Sequence, residues 1–197
     1  MVALRRHLEL VEQADGSWAM PVTGSELTIE GGEIVATIDT TDGAVLIGGY
    51  SPLVNVTPTL DTAAYAIGDV MFVTTLISAV MSDVNKTGVL QTIYLVDKAD
   101  LGLPIDLYFF DANVSFGSLN GVPAISDADA LNYIGHESVL TTDWKDLGGV
   151  RVAQLKNLGK VVKPVTGTAN IYVAGVIQAV GTFAADSLLL RCGFLDD

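Results

Sequence analysis

One cysteine, Cys192, and two histidines, His7 and His136, leave this 197-residue chain few groups for chemistry. A lone cysteine closes no internal disulfide and builds no thiolate metal site. Its apolar surroundings (LLLRCGFL) mark it as a small buried hydrophobe. Nucleophilic catalysis needs a base beside a serine or cysteine, and no G-x-S-x-G turn is present. Both histidines are therefore expected to be structural or solvent-exposed. There is no H-x-x-x-H pair for zinc. Gly31-Gly32, Gly48-Gly49 and Gly148-Gly149 lack the Lys-Ser/Thr that a phosphate-binding loop requires. No enzyme and no cofactor is expected, although glycosidase carboxylates carry no fixed spacing and stay open at this point.

Positive charge is scarce as well. Ten Lys and Arg stand against 23 Asp and Glu, for a net charge of −13 and a pI near 4.2. Nucleic-acid binding needs cations that displace counterions from phosphate, so no nucleic-acid partner is expected. Long apolar runs are missing too. The longest, residues 70–81, is broken by Thr74, Thr75 and Ser78, well short of the roughly 20 residues of a spanning helix. Glu9 and Glu12 interrupt any signal-peptide core. No membrane partner is expected.

What the chain has is apolar residues in a β vocabulary. Half of it is hydrophobic and 17% is charged, with a mean hydropathy of +0.46. With a membrane set aside, that excess points to apolar surface buried against other protein subunits. Leu4, Leu8 and Leu10 alternate with polar neighbours ahead of an Asp15-Gly16 turn, although Leu4, Leu8 and Val11 also fit a helical spacing. Residues 26–30, 34–39 and 45–47 follow as strands separated by Gly31-Gly32 and Asp42-Gly43. Residues 1–50 thus read as a β-meander or arm. Residues 51–58, with Pro52 and Pro58, read as a linker.

Beyond it, strands are expected at 69–81, 88–97, 105–111, 150–155, 158–163, 170–177 and 187–195. IDLYFF and SLLLRCGFL are apolar on both faces, as in strands covered on both sides. A short helix is expected from Ser126 to Ile134, capped by Ser126 or Asp127. No βαβ alternation and no fixed-period repeat occurs. The fold class is all-β: an antiparallel β-sandwich, jelly-roll-like, over residues 59–197, with a small N-terminal β appendage. Five acidic pairs (Asp39/Asp42, Asp97/Asp100, Asp127/Asp129, Asp143/Asp146, Asp196/Asp197) fall at turns or termini. None fits an EF-hand loop, so turn formation accounts for them better than calcium. Trp18 and Trp144 have no aromatic cluster around them and read as core or interface residues.

The order and spacing of TPTLDTAAY (57–65) with IGDV (67–70), GVLQTIYLVD (88–97), LYFFD (107–111), SDAD (126–129), IYV (171–173) and a final GFL resembles virion proteins of tailed bacteriophages. The resemblance covers roughly the last 140 residues and is to head decoration, or cement, proteins. It implies a homo-oligomer, dimeric or trimeric, made in the host cytoplasm. Such a protein binds the outer surface of the capsid and clamps major capsid protein subunits. A receptor- or glycan-binding fibre or adhesin module is the alternative, to be told apart by a surface cluster of aromatics with Asp or Asn. Interface residues are expected at Leu8, Leu10 and Trp18, and along the extended segment carrying Tyr50, Pro52, Leu53, Val54, Pro58, Leu60 and Tyr65. Ordinary core is the competing role for all of them.

Overall fold

The structure, a computed structural model, describes residues 50–196 and five short strand segments before them. The chain divides into two units, Met1–Gly48 and Gly49–Asp197. In the first, β1 (Val11–Glu12) pairs antiparallel with β2 (Trp18–Ala19). There β3 (Glu26–Leu27), β4 (Ala36–Ile38) and β5 (Val45–Leu46) form an antiparallel sheet in chain order. The strand expected around Leu4–Leu10 lies outside the described residues.

The second unit opens with β6 (Leu53–Val56), β7 (Ala64–Tyr65), β8 (Val70–Ile77), β9 (Gly88–Asp97) and β10 (Ile105–Phe110). It continues through the one-turn helix α1 (Asp127–Ala130), β11 (Tyr133–Val139) and β12 (Trp144–Asp146). It ends with β13 (Arg151–Val162), β14 (Ile171–Ile177), β15 (Gly181–Thr182) and β16 (Leu188–Asp196). Two antiparallel sheets result, a five-stranded one ordered β12-β13-β9-β16-β6 and a four-stranded one ordered β11-β10-β14-β8.

Without the short β7, β12 and β15, eight strands remain. Numbered one to eight along the chain, they lie in the orders one-eight-three-six and two-seven-four-five. Each strand of the first half pairs with its mirror in the second, as when one long hairpin is folded over on itself. That is the jelly roll. The two-residue pair β7·β15 continues the same folded hairpin between its first and second pairs.

Period-two alternation, with one register slip at Gln91 between Leu90 and Ile93, builds the core. Leu90, Ile93 and Leu95 of β9 and Leu188, Leu190 and Cys192 of β16 point inward and are fully buried. They meet Phe72, Ile105, Leu107, Phe109, Val173 and Ile177 of the other sheet in one continuous cluster. A second, smaller cluster lies on the outside of the four-stranded sheet. There Val114 and Phe116, from the connection after β10, cover Val70, Phe110, Ala174 and Val176. The double-sided apolar run IDLYFF is thus covered by the chain's own loop.

Three sequence expectations are corrected. Residues 51–58 are not a linker: Leu53–Val56 forms the edge strand β6, in register with Leu190–Gly193 of β16. Pro52 and Pro58 flank that strand, where no ladder N–H is demanded of them. Residues 150–155 and 158–163 are not two strands but the single β13, bulged between Lys156 and Lys160. Asn157 and Gly159 take φ of 60° and 61° there, so the extra residues bulge out without reversing the chain. The helix stops at Ala130. Its Ser126 Oγ accepts from Asp129 N at 3.0 Å as expected, but Tyr133 and Ile134 already belong to β11, pairing with β10.

Candidate interaction surfaces

Of the expected interface residues, Leu8 and Leu10 lie outside the described residues, and Trp18 is placed in β2 by its backbone alone. Tyr50 and Leu53 are exposed, at 41% and 53%. Pro52 is half-buried, and Val54 is half-buried against the main core. Pro58, Leu60 and Tyr65 are buried in the domain itself, Leu60 at 3% and Tyr65 at 1% exposure. The Tyr65 hydroxyl donates to the Met71 carbonyl at 2.9 Å and accepts from Asp61 N at 2.6 Å. Its ring meets Phe183 edge-on. Pro58, Leu60 and Tyr65 therefore turn into their own core, while Thr59 and residues 62–64 between them stay exposed.

The outward side chains of the five-stranded sheet are half-buried or exposed. Register sets its side chains in cross-strand rows: Leu195, Val89 and Val161; Leu53, Gly193, Thr92 and Lys156; Asn55, Arg191, Tyr94 and Gln154; Leu189, Val96, Val152 and Lys145. Gly193 has no side chain, and the Leu53 and Thr92 side chains close over it. No carboxylate occurs in these rows. Lys145, Lys156 and Arg191 do, and none of the three pairs with an acid among the described residues. A shallow cleft of about 510 Å³ runs between Tyr94, Val152, Gln154, Lys145 and Arg191. Asp143 stands at its rim, engaged by the Leu140 N–H at 2.8 Å. On a chain of net charge −13, this face is the reverse of the average. Alternate positions of GVLQTIYLVD and SLLLRCGFL carry the signal, but only strand register shows that their acid-free halves share a face.

The four-stranded sheet presents an aromatic patch beside its covering loop. His136 stacks on Tyr108 with ring centroids 5.7 Å apart, and its Nδ1 lies 2.7 Å from the Tyr133 hydroxyl. Tyr108 also meets Phe116 at 5.1 Å and Tyr133 at 6.5 Å. Burial pushes the Tyr108 and Tyr133 phenols above their ordinary pKa. Asp106 borders the patch, its carboxylate accepting from Ser138 Oγ at 2.6 Å and Gln178 Nε2 at 2.7 Å. The sequence hides this cluster, because Tyr108 and His136 become neighbours only through the β10·β11 pairing.

Elsewhere several acids serve the backbone. Asp97 accepts from Ala99 N, Leu101 N and Gly102 N, and Asp146 accepts from Gly148 N at 2.7 Å. Trp144 is buried and donates its indole N–H to the Leu103 carbonyl at 3.0 Å. Burial pushes the Cys192 thiol up to about 12, which leaves no thiolate near neutral pH. Among the described residues, no group of three or more His, Cys, Asp and Glu is placed to hold a metal ion. No helix among them is long and apolar enough to cross a membrane.

No family model and no curated protein matches the chain. Among solved structures, a chain described as Desmodium yellow mottle tymovirus is similar at 10% sequence identity and a TM-score of 0.25. The match covers 89% of this chain and 96% of that one. At that score the likeness carries no argument about fold or role, and the jelly roll rests on the strand order itself.

Proposed function

We propose that this protein is a structural component of a virion, a capsid decoration or cement protein of the tailed-phage kind. It binds the outer shell, stabilises contacts between major capsid subunits, self-associates, and takes no nucleic acid and no membrane. The observation that carries the reading is the one-sided surface of the sandwich. One sheet face is largely apolar and its cross-strand rows hold no carboxylate among the described residues, while the chain as a whole is strongly acidic. Such a face suits docking on a protein shell, and the remaining acidity suits the outside of a particle, where like charge keeps particles apart. The sequence resemblance over the last 140 residues supports the same role. The test adds the purified protein to capsids that lack it and measures binding and heat resistance. Saturable binding that raises the capsid melting temperature is the expected outcome. Absence of binding overturns the reading.

The receptor- or glycan-binding alternative has one observation in its favour, the Tyr108–Tyr133–His136 patch with Asp106 beside it. Aromatic faces next to a hydrogen-bonding carboxylate are what a sugar ring needs for stacking and orientation. A glycan-array signal lost in Tyr133→Ala would favour it over the cement role.

A further inference from the structure

Three long cations stand around one shallow cleft with no acid to hold them. Lys145, Lys156 and Arg191 are all exposed and line the cleft beside Tyr94, Val152 and Gln154. None has an ion-pair partner among the described residues, whereas Arg151 meets Asp100 at 3.2 Å and Lys160 meets Glu137 at 2.9 Å. The carboxylate at the rim, Asp143, already accepts from the Leu140 N–H at 2.8 Å.

Register fixes the spacing of the three. Lys145 stands opposite Val152, Lys156 lies four residues along β13 from Val152, and Arg191 lies two strands across from Gln154, beyond Tyr94. With about 4.8 Å between strands and 3.4 Å per residue, the two lysines start about 14 Å apart, and Arg191 stands about 12–16 Å from each. An extended chain repeats the lysine spacing: residues i and i+4 share a face about 13–14 Å apart, with i+2 midway. Between the cations the floor is apolar, built by Val96, Val152 and the Tyr94 ring.

We infer that this cleft takes an extended, acidic segment of the shell protein, with carboxylates at i and i+4 against Lys145 and Lys156 and an apolar side chain at i+2 on the floor. Arg191 closes the far side and adds to the positive field. This assignment rests on the docking of that sheet face to the shell, and it names the chemistry of what docks. Charge complementarity selects the occupant, since a basic segment would set cation against cation. A nucleic acid brings a charge about every 3.4 Å per strand, far denser than these three cations, and offers the apolar floor nothing in its phosphates.

A capsid-free probe tests the chemistry. The ¹⁵N-labelled full chain is titrated with a peptide of three Glu-Thr-Leu-Thr repeats closed by a final Glu, and with the same peptide carrying Lys for Glu. The first should shift the amides of residues 94, 145, 152, 154 and 191 saturably, and the second should leave them in place. On capsids that lack the protein, Lys145→Glu, Lys156→Glu and Arg191→Glu together should weaken binding by roughly tenfold or more with an unchanged circular dichroism melt, while Lys145→Arg with Lys156→Arg keeps it. A zero-length carbodiimide cross-link on wild-type-decorated capsids should join Lys145 or Lys156 to an acidic residue of the shell protein. No shift with the acidic peptide, undiminished capsid binding by the triple variant, or links that avoid both lysines overturns the inference and leaves the cement role standing. Saturable binding of single-stranded DNA at the same residues overturns the protein partner. A wild-type chain that takes the peptide but no capsid overturns the shell reading instead.

Discussion

Replacing Asp97 with alanine should unfold the sandwich far more easily than any surface change. Asp97 ends β9 with 1% of its surface exposed. One carboxylate oxygen accepts from Ala99 N at 2.9 Å, and the other from Leu101 N at 2.9 Å and Gly102 N at 2.8 Å. Those three bonds fix the turn that carries the chain from one sheet to the other, and Leu103, just beyond it, receives the Trp144 indole. A buried donor left without its acceptor costs about 1–3 kcal/mol. The Gly102 N–H is buried and falls near the top of that range, while Ala99 and Leu101 are reached by water and fall near the bottom. The loss is about 5 kcal/mol, a large part of the 5–15 kcal/mol that holds a typical domain. In urea, with a slope of roughly 2 kcal/mol per molar, the unfolding midpoint should fall by about 2.5 M. Asp97→Asn keeps one acceptor oxygen and sets an NH₂ group against N–H donors, so a loss about half as large is expected. Hydrogen exchange supplies the local readout: the amides of residues 99, 101 and 102 should lose protection ahead of the core strands. A loss below about 1 kcal/mol, or unchanged exchange at these amides, would refute the reasoning.

Three further outcomes follow from the packing and the titrating groups. Gly175→Ala drives a Cβ into the fully buried Phe72 ring and should cost about 1–3 kcal/mol in chemical denaturation; Phe72→Leu in the same chain should recover part of that loss, which a double-mutant cycle measures. Desolvation raises the Asp111 carboxyl above its ordinary value. Its charged form is thus disfavoured in the fold, a penalty present above the folded pKa and gone below the unfolded one, so Asp111→Asn should raise the melting temperature at neutral pH and lose that advantage on acidification into the carboxylate range. Cys192 should resist a disulfide-exchange reagent in the native state and react only as the chain unfolds in urea; rapid native labelling would contradict its burial.

The fold class was legible from composition and alternation, because a strand's period of two is written locally. GVLQTIYLVD reads as a strand and is one, and IYVAGVI and LLLRCGFLD come within a residue or two. The linker at 51–58 and the two strands around residue 157 were misread for a shared reason. Proline, asparagine and glycine signal a break in regular structure, but whether that break is a strand end, a bulge or a turn depends on a partner strand far along the chain. The Tyr50–Tyr65 segment shows the same limit at the level of the site. Leu60 and Tyr65 look no more buried in sequence than Leu53, yet Tyr65 lies beneath Phe183 and holds the Met71 carbonyl, whereas Leu53 stays on an edge strand.

The residues alone determined that this chain builds β-strands, buries its one thiol and carries an acid excess, since each follows from local composition and periodicity. Tertiary structure decided where that charge is missing. The acid-free halves of β9, β13 and β16 become one cationic, apolar face only when residues 54 to 108 positions apart are hydrogen-bonded in register. Register is a long-range property, and no local window of sequence contains it.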